Sequence, residues 1–473
     1  MGEIRNYKEI FLRYWPLVLS LGLFFGWLHS FPVQGQLLNL LTDIHDYAPL
    51  PLIAGFYIGH FIGLGAAGLT GYFWRQALPW FFLGAIPCTI LSFFLALGIP
   101  TSYWILIFTM IGLFSGMSVI SWGNSFAAMV HPERRGRTFI SGAALAYLIS
   151  DAITLISQSV HLDLLILISS LLPLAMPVLM LFWYKCKTTP LQNSNTEALS
   201  EKKTKFNQCL TFLPFIFTIA ATGGLTYTII GNVVTVPTGL LGNLGMIPYI
   251  ILLFIAGSLA DFKGRRIIAI AGAIVVGIGF TSAGFMRGDV SYLVIQTLAI
   301  GGYAFLDTFI WVIAADISDQ RIFSLNYFII LGTNILAVLI GVLLGQKISE
   351  LASGKELLTI SAAGLLCFIS LAFVFKMKET LKFKPSAAPQ TTQNSYAELS
   401  QKAGFTTREL DIVKLLIAGD NTKEILNKLS IAPDTLKSHL HNIYLKAGVR
   451  NRMGLVLVIM KTTKYTEKII EDE

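Results

Sequence analysis

Charge is scarce in this sequence. Asp, Glu, Lys and Arg make up only 13% of 473 residues, where a soluble protein carries roughly 25%. Such a chain has too little polar surface to enclose itself in water, which excludes an ordinary soluble globule. Cysteine is sparse as well. Cys88, Cys186, Cys209 and Cys367 include no CxxC pair and stand near no His cluster, so neither a zinc site nor a disulfide framework is expected. They read as small apolar or loop residues. A convincing small-x-small cleavage site is missing behind the first apolar run, near Trp15, so that run reads as an uncleaved span. No nucleophile–base set, metal-ligand spacing or phosphate loop is present. Catalysis, a cofactor and a metal are therefore not expected.

What is abundant is apolar surface, 54% of the residues. A bilayer core takes about 20 mostly apolar residues per helix. Runs of that kind lie near 15–33, 50–71, 78–98, 103–130, 138–158 and 162–184, and again near 210–235, 240–260, 266–286, 291–315, 322–345 and 356–375. The polar stretch 185–209 separates them. The pattern predicts an all-α protein with a twelve-helix membrane bundle over residues 1–375, in two six-helix halves, 1–184 and 210–375, joined by a cytoplasmic loop at 185–209.

Basic residues are unevenly distributed. Lys and Arg number 19 in residues 1–375 and 16 in residues 376–473, so a second domain of opposite character begins near 376. Within the bundle, Lys and Arg are retained on the cytoplasmic side. With the N-terminus inside, the inner segments hold sixteen of them and the outer loops only Arg287, Lys347 and Lys355. That asymmetry predicts a multi-pass inner-membrane protein with both termini cytoplasmic.

The segment after the eighth run reads Gly257-Ser-Leu-Ala-Asp261-Phe-Lys-Gly264-Arg265-Arg266. It resembles the cytoplasmic signature loop of the major facilitator superfamily, and the His131–Arg137 segment is similar to that family's loop between spans 4 and 5. The resemblance covers residues 1–375 and implies two six-helix halves around a central cavity. It also implies that the Asp261 carboxylate sits against the positive end of a neighbouring helix. Gly264 permits the tight turn, and Asp261, Gly264 and Arg265 form the conformational loop. The equivalent loop after span 2, Gly68 to Arg75, contains no acidic residue. In the family that loop latches one transport conformation.

Polar residues inside spans are candidates for function. Asp307 in span 10 and Asp151 in span 5 stand out, followed by His29, Asn124 and Asn232. Spans 1, 4, 7 and 10 line the cavity in the family, so His29, Asn124, Asn232, Asp307 and Trp311 are the candidate ligand-binding set. The alternative for Asp307 is a buried carboxylate, neutral or hydrogen-bonded for structure. The alternative for Trp27, Tyr227 and Trp311 is packing. Gly55, Gly59 and Gly63 on span 2 read as a small-xxx-small helix contact.

Residues 376–401 carry Pro385, Pro389 and a run of Thr, Gln, Asn and Ser. They read as a flexible linker with an r.m.s. reach on the order of 30 Å. Four short helices follow. Thr406 with Glu409 forms a capping box that starts the first, and Gly419 ends it. Asn421 with Glu424 repeats the box. Pro433 suits the first position of the third helix, where Leu436, Leu440 and Ile443 face a core and Lys437, Ser438 and His441 share the opposite side. A helix, a tight turn and a helix with an exposed polar face is the geometry that enters the major groove.

This segment resembles a LuxR-type helix-turn-helix domain along its length: Thr406 to Glu409, Asn421 to Ile425, Leu429 to Ile431, Thr435 to Tyr444 and Gly448 to Arg452. The resemblance implies that Lys437, Ser438 and His441 face bases and that Asn421, Lys423, Thr435 and Asn442 meet phosphates. Ala432 stands where the family often has a Ser N-cap, a loss of about 1 kcal/mol of capping, which Asp434 in the first turn offsets in part. A polybasic lipid-binding patch is the competing reading. Residues 402–460 hold nine Lys/Arg interspersed with five Asp/Glu, which argues against it. The domain is placed at 402–465, with a tail at 466–473.

Together these features predict a membrane-bound one-component transcriptional regulator whose bundle senses a small molecule. The alternatives are a transporter with an appended regulatory domain and a bundle that serves only as an anchor. The expected partners are double-stranded DNA, the lipid bilayer, a small-molecule ligand of unknown identity and, as one option through the DNA-binding domain, a second copy of the chain.

Overall fold

A computed structural model of the chain describes residues 2–33, 35–70, 78–186, 199–233, 246–283, 292, 295–318, 323–351, 356–376, 404–418, 425–426, 429, 431–449 and 455. The chain divides into two compact units, Met1–Leu381 and Lys382–Glu473. No strand occurs among the described residues, so the class is all-α. In lipid each backbone N–H and C=O must be satisfied within its own segment, and an apolar run meets that demand only as a helix.

The first six spans are α1 (Gly2–Ser30), α3 (Pro49–Thr70), α4 (Leu78–Ala96), α5 (Trp104–Met129), α6 (Arg135–Ile156) and the pair α7 (Leu162–Ser169) and α8 (Leu172–Cys186), with a short helix α2 (Gln36–Ile44) between the first two. The second six are α9 (Leu199–Val233), α10 (Ile247–Lys263), α11 (Arg265–Ala283), α12 (Gly301–Ile317), α13 (Phe323–Leu351) and α14 (Glu356–Lys376). Among the described residues nine helices are long and apolar enough to cross a membrane, and α1, α4 and α10 pack among them.

Packing repeats between the halves. In the first, α1 packs on α6, α3 on α5 and α4 on α8; in the second, α9 packs on α13, α10 on α12 and α11 on α14. In each half the first span meets the fifth, the second the fourth and the third the sixth. The halves join where α3 meets α13 and where α6 meets α10. At the α3–α5 contact, a Cβ on Gly59 or Gly63 would collide with the carbonyls of Thr109 and Leu113. A small-residue face lets these two backbones touch.

Several details differ from the sequence expectation. Helix α1 starts well before Trp15 and kinks at Tyr14 (φ −121°, ψ 16°), because Pro16 disfavours helical geometry just ahead of it. Helix α2 was not anticipated. It buries Leu37, Leu38, Leu41 and Thr42 along one face, a run too short for a span. The polar stretch 185–209 is not loop throughout, since α9 begins at Leu199. No Gly or Pro interrupts residues 199–213, so the span's helix continues into polar sequence. Span 10 enters through a π turn, Ile295–Ile300.

In the second unit α15 (Thr407–Ala418) and α16 (Pro433–Lys446) enclose a core of Phe405, Ile412, Val413, Leu416, Ile425, Leu436, Ile443 and Leu455. The second and fourth expected helices fall mostly outside the described residues. Ile425, Leu426, Leu429 and Leu455 are helical where they are described.

Candidate functional site

The exposed face of α16 is the first site. Pro433 occupies the first helical position, and Ala432 precedes it in extended backbone (φ −73°, ψ 152°) with no side-chain cap. Leu436 and Ile443 are buried and Leu440 is half-buried against the same core. Their spacing turns Thr435, Lys437, Ser438, His441 and Asn442 outward, and all five are exposed. Asn421 and Lys423 lie outside the described residues. Glu409 holds the helix in place. Its carboxylate accepts from the Thr406 N–H at 2.8 Å, and its own N–H donates to the Thr406 hydroxyl at 3.3 Å, which completes the capping box. The same oxygen takes Lys446 Nζ at 2.7 Å. Burial alone would raise the Glu409 carboxyl, but the Lys446 ammonium and the Thr406 N–H and hydroxyl hold it below its ordinary value.

The second site is a cavity of about 280 Å³ between the two halves of the bundle. His29 of α1, Tyr57 and His60 of α3 and Tyr147 of α6 face it from one half, and Tyr249 of α10, Asp307 and Trp311 of α12 and Asn334 of α13 from the other. The Tyr249 hydroxyl donates to Asp307 Oδ2 at 2.5 Å. Rings meet across the halves: Tyr147 lies 4.5 Å from Tyr249 and Phe25 lies 5.6 Å from Trp311, centroid to centroid. His29 stacks on Tyr147 at 4.7 Å. His60 Nδ1 lies 2.7 Å from Ser115 Oγ, and Ser115 donates its single proton to the Gly112 carbonyl at 2.8 Å. Ser115 Oγ thus sits within hydrogen-bond distance of both the His60 ring and the Gly112 carbonyl.

Of the ligand candidates, the structure brings His29, Asp307 and Trp311 together on this wall. Asn124 is not among the residues that line this cavity. It follows the lining residue Val119 by five positions, about 140° around α5. Its Oδ1 is buried without a hydrogen-bond partner among the described residues. The Asn232 and Tyr227 side chains lie outside the described residues. Asp151 is half-buried on α6 and is not on the wall. Sequence reasoning missed Tyr57, His60, Tyr147, Tyr249 and Asn334. A signal existed for His60, since an ionisable side chain inside a span is a candidate by default. The tyrosines carried none, because nothing in one span tells which face of it meets a cavity.

The third feature joins the halves at the loop between α10 and α11. Asp261 Oδ1 accepts the Gly136 N–H at 2.8 Å, and Oδ2 accepts the Arg137 N–H at 3.1 Å and Arg137 Nε at 2.9 Å. These N–H groups open α6, so the carboxylate sits on a helix N-terminus, as the loop motif implied. Arg265 bridges Asp261 at 3.4 Å and Asp316 at 2.7 Å, and Arg135 reaches Asp316 at 2.7 Å. Arg265 Nη2 also donates to the Pro132 carbonyl at 2.7 Å. Gly264 turns the chain at φ 97°, a value that a side chain disfavours. A Cβ on Gly136 would press on the Gly257 carbonyl and on Asp261. Asp316 was missed because a carboxylate at a span end usually reads as solvated. The acid-free loop after span 2 lies, from Gly71 to Arg75, outside the described residues.

Comparison with known proteins finds likenesses for both parts. Residues 403–459 match the family model described as "Bacterial regulatory proteins, luxR family", and this segment forms a LuxR-type helix-turn-helix domain. Over 65 residues the chain is 34% identical to the HTH-type transcriptional regulator MalT of Yersinia pestis (strain Pestoides F) and of Yersinia pseudotuberculosis serotype O:3 (strain YPIII), a match covering 14% of this chain and 7% of those relatives. The chain thus spans only a small part of the relatives it matches. The bundle shares its fold with the MFS (major facilitator superfamily) proton:xylose symporter XylE bound to 6-bromo-6-deoxy-D-glucose, at a TM-score of 0.60 and 15% identity, covering 78% of this chain and 95% of that one. The chain thus joins a bundle with the fold of that symporter to a LuxR-type segment.

Proposed function

We propose that this chain is a membrane-bound one-component transcriptional regulator: the bundle binds a small molecule in its central cavity, and the LuxR-type domain binds double-stranded DNA. The observation that carries the reading is the occurrence, in one chain, of an exposed Lys437–Ser438–His441 face and a cavity whose polar groups come from both halves of the bundle. A ligand that touches both halves binds one arrangement of them better than another, and only such differential affinity shifts an equilibrium. A useful shift takes several kcal/mol. Domain limits of 1–375, 376–401, 402–465 and 466–473 fit this division of labour, as do an inner-membrane location and cytoplasmic termini, which put the DNA-binding domain where DNA is. Pairing of two DNA-binding domains would let the protein read a two-part operator.

A transporter with an appended regulatory domain is the second reading, favoured by the Asp261 latch. The absence of an acid between Gly68 and Arg75 argues for occupancy without efficient cycling. A promoter reporter in cells, run beside uptake in vesicles, separates the two. A reporter response without uptake supports the regulator, and robust uptake supports the transporter. A response that persists when an unrelated anchor replaces the bundle rejects sensing.

A further inference from the structure

The cavity wall is one-sided in charge. Among the described residues that line the cavity, Asp307 is the only carboxylate and none is Lys or Arg. The Tyr249 hydroxyl hydrogen-bonds to Asp307. No donor to Oδ1 is present among the described residues. A carboxylate removed from bulk water and met by one neutral hydroxyl is poorly compensated. The remaining wall adds further electron-rich surface. Tyr147, Tyr249, Phe25 and Trp311 all line the cavity, and aromatic faces attract cations rather than anions. His60 also lines the cavity, with Nδ1 2.7 Å from Ser115 Oγ. The volume of about 280 Å³ lies near the lower bound for ligand pockets, about 300 Å³, so the occupant is small.

We propose, on the premise that the bundle senses a ligand here, that the ligand is a small organic monocation, a single-ring amine whose ammonium donates to Asp307 while its ring lies among Phe25, Tyr147 and Trp311. The ammonium satisfies the open oxygen of Asp307, and the ring replaces water against apolar wall. The charge contact falls on the second half of the bundle and most of the ring contact on the first, so one molecule ties the halves together. An anionic ligand would meet no cation on the wall, and a neutral one would leave the carboxylate unpaired.

The test uses the purified full-length chain in lipid nanodiscs, titrated with benzylamine, benzyl alcohol and benzoate, which share a ring and differ in charge. Binding is read by thermal shift and by tryptophan fluorescence. Benzylamine is expected to bind at least about tenfold more tightly than benzyl alcohol, and benzoate not to bind. Asp307→Asn removes the preference, and Asp307→Glu keeps it. The wild-type comparison decides even where Asp307→Asn does not fold. Binding of benzyl alcohol or benzoate as tight as that of benzylamine overturns the proposal. So does a failure of benzylamine to bind, or a folded Asp307→Asn that retains the preference. Failure of the sensing reading shows separately, as a promoter response indifferent to replacement of the bundle.

Discussion

Lys446, in the last turn of α16, places its ammonium 2.7 Å from the carboxylate of Glu409, in the first turn of α15. The pair spans 37 positions of sequence, and it ties α16 to the capping box of α15. Glu409→Gln is expected to destabilise the domain by about 1–3 kcal/mol, the range for hydrogen bonds to a charged group. Urea unfolding of residues 382–473 measures it. The pH dependence follows from the lowered Glu409 carboxyl. The stabilisation is complete above the ordinary Glu value of about 4.3 and is lost as pH falls below it. In Glu409→Gln this acid-range loss should be absent.

DNA binding should depend on the outward face of α16. Lys437→Ala should weaken specific binding by about 1–3 kcal/mol if the side chain contacts a base edge. Thr435→Ala and Asn442→Ala should weaken binding to all sequences about equally, as phosphate contacts do. Gel shifts on specific and scrambled duplexes distinguish the two patterns. A Lys437→Ala protein that binds its operator normally would remove that residue from the interface.

The Asp261 latch makes a local prediction. Gly136 and Arg137 donate their backbone N–H groups to this carboxylate, so Asp261→Asn should speed hydrogen exchange at these two amides. Breaking a buried ion pair by removing one partner costs about 3–5 kcal/mol, so the variant should also melt earlier. Unchanged exchange at Gly136 would mean that the latch does not hold α6.

The topology also has a direct test. Reporter fusions at Lys376 and at Lys347 should lie on opposite sides of the membrane, because α14 (Glu356–Lys376) runs between them and Lys and Arg concentrate on the cytoplasmic side. Reporters on the same side would reject the span count.

The sequence by itself determined the features that depend on composition and short spacing. Apolar runs of bilayer length dictate helices because lipid leaves the backbone no other partner. The capping box of Thr406 and Glu409, the uncapped start at Ala432, the turn at Gly264 and the buried and exposed faces of α16 were all legible, since each involves residues within a turn or two of one another. The family loop motif also foretold that Asp261 meets a helix N-terminus. Tertiary structure alone decided which side chains share a space. Tyr57, His60, Tyr147 and Tyr249 share a cavity with Asp307 only because α3, α6, α10 and α12 come together around it, and spans that are apolar all round carry no periodic mark of the face turned inward. Asn124 looked equivalent to the residues that line the cavity and proved to lie on another face of α5. Asp316 gained its role from Arg265 of its own half and Arg135 of the other, 51 and 181 positions away, which only tertiary packing brings to it. The physical reason is range: helix formation and capping are local interactions, whereas a cavity and a latch are made by groups that nothing but the packing of separate helices brings within hydrogen-bond distance.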